Sequence, residues 1–137
     1  MVKKGQVSME FLLVTGFAFL LLIPILILFL TQTQDINEDV TAAQVNKLGE
    51  ELVGSVNNVY YLGEPTKKTI NAYIPKYVES ITFDQNRIIF NVDTGDWAYV
   101  VTKIAVANIS GNLDSNAGLH TIEIIAQGNS VIIQEGS

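Results

Sequence analysis

Cysteine is absent from the chain. Disulfides, thiolate zinc sites and cysteine-held iron–sulfur clusters are therefore excluded. Histidine occurs once, at His120. A lone imidazole without a thiol gives little footing for metal or nucleophilic chemistry. Basic residues are few, 8 Lys and Arg against 14 Asp and Glu, for a net charge of −6. Phosphate backbones demand a basic face, so nucleic acid is not an expected partner. No carboxylate pair, glycine-rich phosphate loop or serine–histidine pattern stands out. The expectation is a protein that is not an enzyme and carries no cofactor and no metal.

Charge is missing altogether between Glu10 and Asp35. Residues 11–30 are almost wholly apolar, and ~20 apolar residues in a helix cross a ~30 Å hydrocarbon layer. The remainder of the 137 residues is long enough for one compact domain. Lys3 and Lys4 precede the apolar run, while Asp35, Glu38, Asp39, Glu50 and Glu51 follow it. The positive-inside bias puts the N-terminus in the cytoplasm and the bulk of the chain outside. A secretory signal would have a shorter apolar stretch and a small-residue cleavage site after it. Here Thr31, Gln32, Thr33 and Gln34 follow. Glu10 abuts the apolar run directly, and a carboxylate at that depth is costly unless paired. It is a candidate functional residue on that ground.

The stretch Lys3-Lys4-Gly5-Gln6-Val7-Ser8-Met9-Glu10, followed at once by the apolar run, resembles the class III signal peptide of archaeal type IV pilins. In that family a short basic leader ends in glycine. Gln-x-Ser-x-Glu and a hydrophobic helix follow. The resemblance covers about the first 30 residues. It implies cleavage at Gly5–Gln6 by a membrane prepilin peptidase acting from the cytoplasmic side, with Lys3 and Lys4 as recognition residues. It further implies that Glu10 meets the new amine of Gln6 on a neighbouring subunit during assembly. The implied partners are identical or related pilin subunits, the peptidase, a pilus assembly platform and membrane lipid before assembly. The implied locations are the cell membrane for the precursor and an extracellular adhesive filament for the mature subunit. The residue after the cut differs from the bacterial pattern, where phenylalanine is usual, and the apolar start lacks the glycine-rich character of archaellins.

The chemistry of these residues fits that role. Glycine lets the backbone extend into a narrow cleft. Gln6 and Glu10 are four residues apart, on one helix face. Ser8 is placed to donate to a backbone carbonyl or to this network. Gly16 and Ala18 allow close helix approach, and Pro24 removes one helical hydrogen bond and is expected to kink or loosen the run.

Beyond residue 31 the pattern stays helical but turns amphipathic. Ile36, Val40 and Ala43, then Val45, Leu48, Leu52, Val56 and Val59, recur at three- and four-residue spacing. This predicts one helix over residues 6–61, with a break conceivable at Gly49 or Gly54. Leu62-Gly63-Glu64-Pro65 ends it. The period then becomes two. Strands are predicted around Ile70–Ile74, Ile81–Phe83, Ile88–Val92, residues 99–109, 119–126 and 131–134. Turns are predicted at Asp84-Gln85-Asn86, Asp93-Thr94-Gly95-Asp96 and Gln127-Gly128-Asn129-Ser130, and a loop over 110–118. The predicted organisation is a leader at 1–5, a long helix at 6–61 and a β-rich extracellular head at 62–137. The fold class is α+β: a long helix followed by a small antiparallel sheet or sandwich.

Three features of the head are candidates for sites. Asn108-Ile109-Ser110 is a glycosylation sequon, although Asn108 alternates in phase with Ile104 and Val106 on what reads as a core face. Asn112, Asp114, Asn116 and Glu123 have the spacing of a calcium loop, but Ala117 stands where that loop needs glycine and Glu123 lies in a strand pattern. Tyr60, Tyr61, Tyr73, Tyr77, Trp97 and Tyr99 read first as core and interface packing, and secondly as an adhesive surface. Two rivals to a main pilus subunit share the N-terminal features. One is a minor pilin or pseudopilin of a secretion or uptake apparatus. The other is an uncleaved, signal-anchored extracellular binding module.

Overall fold

The computed structural model describes residues 2–137, and side chains at residues 3–32 and 38–137. Its element order is one α-helix and seven strands, an α+β fold. Helix α1 spans Val2–Leu62 and continues through Pro24. The strands are β1 Lys67–Ile74, β2 Val78–Asp84, β3 Arg87–Asp93, β4 Ala98–Ile104, β5 Asn108–Gly111, β6 Gly118–Gln127 and β7 Ser130–Glu135. The chain divides into two compact units, Met1–Glu38 and Asp39–Ser137.

The first unit is the apolar part of α1. Lys3–Gln32 has mean hydropathy 2.9, enough by length and composition to cross a membrane, and none of it is buried within the chain. This is a long apolar N-terminal helix consistent with a membrane anchor. A helix apolar on every side must be covered by lipid or protein.

The second unit builds its core on the last part of α1. Val45, Leu48, Leu52, Val56 and Val59 are all buried, and they join Ile74, Ile88, Phe90, Ile122, Ile124 and Ile133 in one hydrophobic cluster. Each fully buried Val or Leu contributes roughly 1.5–3 kcal/mol against an exposed reference. The stripe starts later than the sequence pattern implies. Val40 and Ala43 are exposed, and Thr41 takes the inward position. The side chain of Ile36 lies outside those described. Gly49 does not break the helix. A Cβ there would stand 2.7 Å from Lys103 Cγ and 3.2 Å from Phe90 Cε2, so glycine permits the close approach of helix to sheet. The Gly63 N–H donates to the Val59 and Tyr60 carbonyls at 3.1 and 3.2 Å and closes the helix.

Two sheets cover this stripe. One has the order β1-β6-β7-β5 and the other β2-β3-β4. Two-residue turns at Gln85-Asn86 and Gly128-Asn129 close the β2–β3 and β6–β7 hairpins, as the turn chemistry predicts.

Residues 99–109 are not one strand. β4 ends at Ile104, the chain changes sheet, and β5 pairs with β7 in parallel rather than antiparallel register. The change of sheet is fastened at three points. Ala105 N–H donates to Asn86 C=O, Ile109 N–H to Gln85 C=O, and Val106 N–H to Asn57 Oδ1. Gly111 sits where β5 meets β7. Its φ is +129°, and a Cβ would lie 1.8 Å from the Ile133 carbonyl oxygen, so no side chain fits. The inward phase is also opposite to the expected one. Ala105, Ala107 and Ile109 are buried, while Ile104, Val106 and Asn108 are exposed. Both faces of this segment are apolar, so alternation alone could not choose between them.

Candidate functional site

The N-terminal constellation is built on the first turns of α1. Lys3, Lys4, Gly5, Gln6, Ser8 and Glu10 are all helical and exposed. Nothing lies within 4 Å of a Cβ placed on Gly5. The Gly5–Gln6 bond is therefore reachable but helical, and cleavage would require the first turn to unwind into an extended strand. The end of a helix frays at low cost, and glycine lowers it further. Gln6 and Glu10 share a face at four-residue spacing. Among the described residues no ion pair reaches Glu10, and the next cationic side chain along the chain is Lys47. The carboxylate stands directly before the apolar run over residues 11–30. Beside it, Leu12, Leu13, Phe17 and Leu20 flank Gly16 in a shallow apolar groove.

The remaining candidates belong to the second unit. Asn108 is exposed on β5, an edge strand, with Ser110 also exposed. The sequon thus presents its amide to solvent instead of to the core. The calcium pattern does not come together. Asp114 holds Asn116, through Asn116 Nδ2 to Oδ2 at 2.6 Å. Glu123 lies elsewhere, bound by Lys67 at 2.8 Å and by Gln134 Nε2 at 3.1 Å, and these donors hold its carboxyl below the usual range. No cluster of metal-binding side chains occurs among the described residues.

His120, the chain's one imidazole, is held on two sides. Its Nδ1 meets the Glu135 carboxylate, and its Nε2 meets the Asn116 carbonyl at 2.7 Å. Both neighbours are acceptors, so only the imidazolium satisfies both with N–H donors. The Glu135 hydrogen bond raises its pKa above 6.5 and partial burial opposes this; the Asn116 carbonyl and the charges of Glu135 and Asp114 add to the rise. The pair was missed in the sequence. Hairpin register would have found it, because Ile122 pairs with Glu135 across the β6–β7 turn and puts His120 on the next inward position. Tyr61, Tyr73, Tyr77 and Trp97 are exposed, while Tyr60 and Tyr99 pack against the core. No protein-family model, curated protein or solved structure matches this chain.

Proposed function

We propose that this chain is a structural subunit of a type IV pilus-like surface filament, made as a membrane-held precursor and cut at Gly5–Gln6. One observation carries the reading. Lys3–Gln32 is apolar with no part buried in its own chain, and it is joined to a second unit that holds its own core. Such a helix has to find its cover outside the chain. Lipid supplies it first, and the helices of other copies supply it after assembly. Glu10 gives the second stage direction. Its carboxylate in a low-dielectric bundle seeks a cation, and cleavage creates one at Gln6 of a neighbour. Lys3 and Lys4 hold the leader at the cytoplasmic surface and leave with it. The test is to shear filaments from producing cells and sequence the N-terminus of their subunits. A start at Gln6 in a filament supports the proposal. A start at Met1, or a chain found only in membranes, overturns it.

A further inference from the structure

We infer that one end of the head, ringed by Tyr73, Tyr77, Trp97 and Leu119, rests in the lipid headgroup layer while the chain is held in the membrane. The inference depends on the membrane-held precursor proposed above. It starts from an excess of exposed apolar surface. These four side chains are 56%, 50%, 67% and 74% exposed, and Val40 on the helix is 48% exposed.

Their position follows from contacts within the second unit. Gly49 lies against Lys103, and Asn57 accepts from the Val106 N–H at 2.9 Å. β4 therefore advances in the same sense as the helix, and its start at Ala98 lies toward residue 39. β1 begins after the helix end and runs back, so that Asn71 and Tyr73 line a groove with Gln44 and Lys47. The turn over residues 75–77 lies further in that direction. Leu119 is the strand partner of Tyr73. The Asp93 N–H donates to the Tyr77 carbonyl at 2.9 Å, tying the 75–77 turn to the turn that carries Trp97. All four thus gather at the end of the second unit nearest residue 39.

That end is tethered. Nine peptide links separate Leu30, the last apolar residue of the run, from Asp39. Even fully extended, nine residues reach only ~30 Å. The ring composition suits the headgroup layer, where Tyr and Trp place an apolar ring among acyl carbons and a polar edge toward water. Lys76, exposed between Pro75 and Tyr77, offers an ammonium for lipid phosphate. Asp93 and Asp96, exposed at the same end, favour zwitterionic over anionic lipid. Tyr77 holds φ at +74°, a conformation that glycine or asparagine adopts with less strain. A bulky ring is carried on a turn that does not need one.

Trp97 is the only tryptophan, which makes it a built-in reporter. The full chain is reconstituted in phosphatidylcholine vesicles with and without lipid spin-labelled near the headgroup. Trp97 emission should be blue-shifted and should fall roughly two-fold with labelled lipid, as for an indole at headgroup depth. Tyr73→Ser, Tyr77→Gly and Leu119→Ser together should relieve most of that quenching. All three sites are surface positions, and Tyr77→Gly relaxes its turn. A dye on Leu28→Cys, unique in a chain without cysteine and two residues from the end of the apolar run, lies at headgroup depth when the run is inserted and reports it separately. Quenching of the dye without quenching of Trp97 overturns the headgroup contact and leaves the membrane anchor standing. Quenching of neither overturns both. A blue shift without lipid quenching means that another copy covers Trp97, and this also overturns it. Unchanged quenching in the triple variant shows that the ring does not hold the contact.

Discussion

His120 and Glu135 join the beginning of β6 to the end of β7, through Nδ1 and a carboxylate oxygen. The same imidazole reaches the Asn116 carbonyl at 2.7 Å, so one side chain clamps two strands and the 112–117 loop. The His120 side chain is 12% exposed and that of Glu135 42%. A group whose folded pKa is raised stabilises fully below its unfolded value near 6.5 and loses that contribution as pH climbs through the folded pKa.

The head should therefore be more stable at pH 5.5 than at pH 8.5. His120→Gln and Glu135→Gln should each cost about 1 kcal/mol on the acid side, after allowance for solvent at the exposed carboxylate. Both should flatten the pH dependence. Thermal unfolding followed by circular dichroism at several pH values checks this. Equal pH slopes in wild type and Glu135→Gln would show that the clamp does not titrate.

Glu10 should matter to assembly and not to insertion. Glu10→Gln keeps shape and some hydrogen bonding, and Glu10→Ala keeps neither. A buried, unpartnered carboxylate or amine costs several kcal/mol. Filament yield should fall with Gln and further with Ala, by roughly ten-fold or more, since ten-fold corresponds to about 1.4 kcal/mol. Processed protein should still accumulate in the membrane. Immunoblots of membrane and sheared fractions separate the two steps. Normal yield from Glu10→Ala would make the residue an ordinary surface acid.

A fragment of residues 39–137 should fold, and one of residues 62–137 should not. The shorter piece lacks Val45, Leu48, Leu52, Val56 and Val59, the helix side of the core. Leu52→Ala in the longer piece should cost about 2–5 kcal/mol, the range for opening a cavity in a core. Chemical denaturation of both fragments reads the difference. Cooperative unfolding of 62–137 would mean that the sheets close without the helix.

Asn108 should carry glycan in cells that modify Asn-x-Ser/Thr sequons. The motivation is its exposure on an edge strand. Intact-mass spectrometry of filament protein should show added mass that Asn108→Gln abolishes. An unmodified mass from a glycosylating host would count against it.

Much of the fold was readable from spacing. The helix stripe from Val45 to Val59 and the turns at Gln85-Asn86 and Gly128-Asn129 follow from local rules, period and turn chemistry, that do not depend on distant partners. The change of sheet at residues 105–107 was not readable. It depends on Asn57 and Asn86, which lie far off in sequence, and its alternating residues are apolar on both faces. The parallel pairing of β5 with β7 is equally non-local. At the N-terminus Gly5, Gln6 and Glu10 fall within six residues, so their pattern is local, and the structure adds that all three are helical and exposed. The His120–Glu135 clamp was not readable, because it needs hairpin register and loop geometry together.

The order β1-β6-β7-β5 has a consequence for the timing of synthesis. β7, which leaves the ribosome after β1 to β6, is an interior strand with β6 on one side and β5 on the other. β1 waits for β6, across much of the length of the head, and β5 waits for β7. The helix and the β2-β3-β4 sheet can meet while the chain is still growing. The other sheet cannot close until residue 135 is out. Until then a nascent head has one side of its core uncovered, and losing β7 would leave β5 without its ladder partner among the described residues.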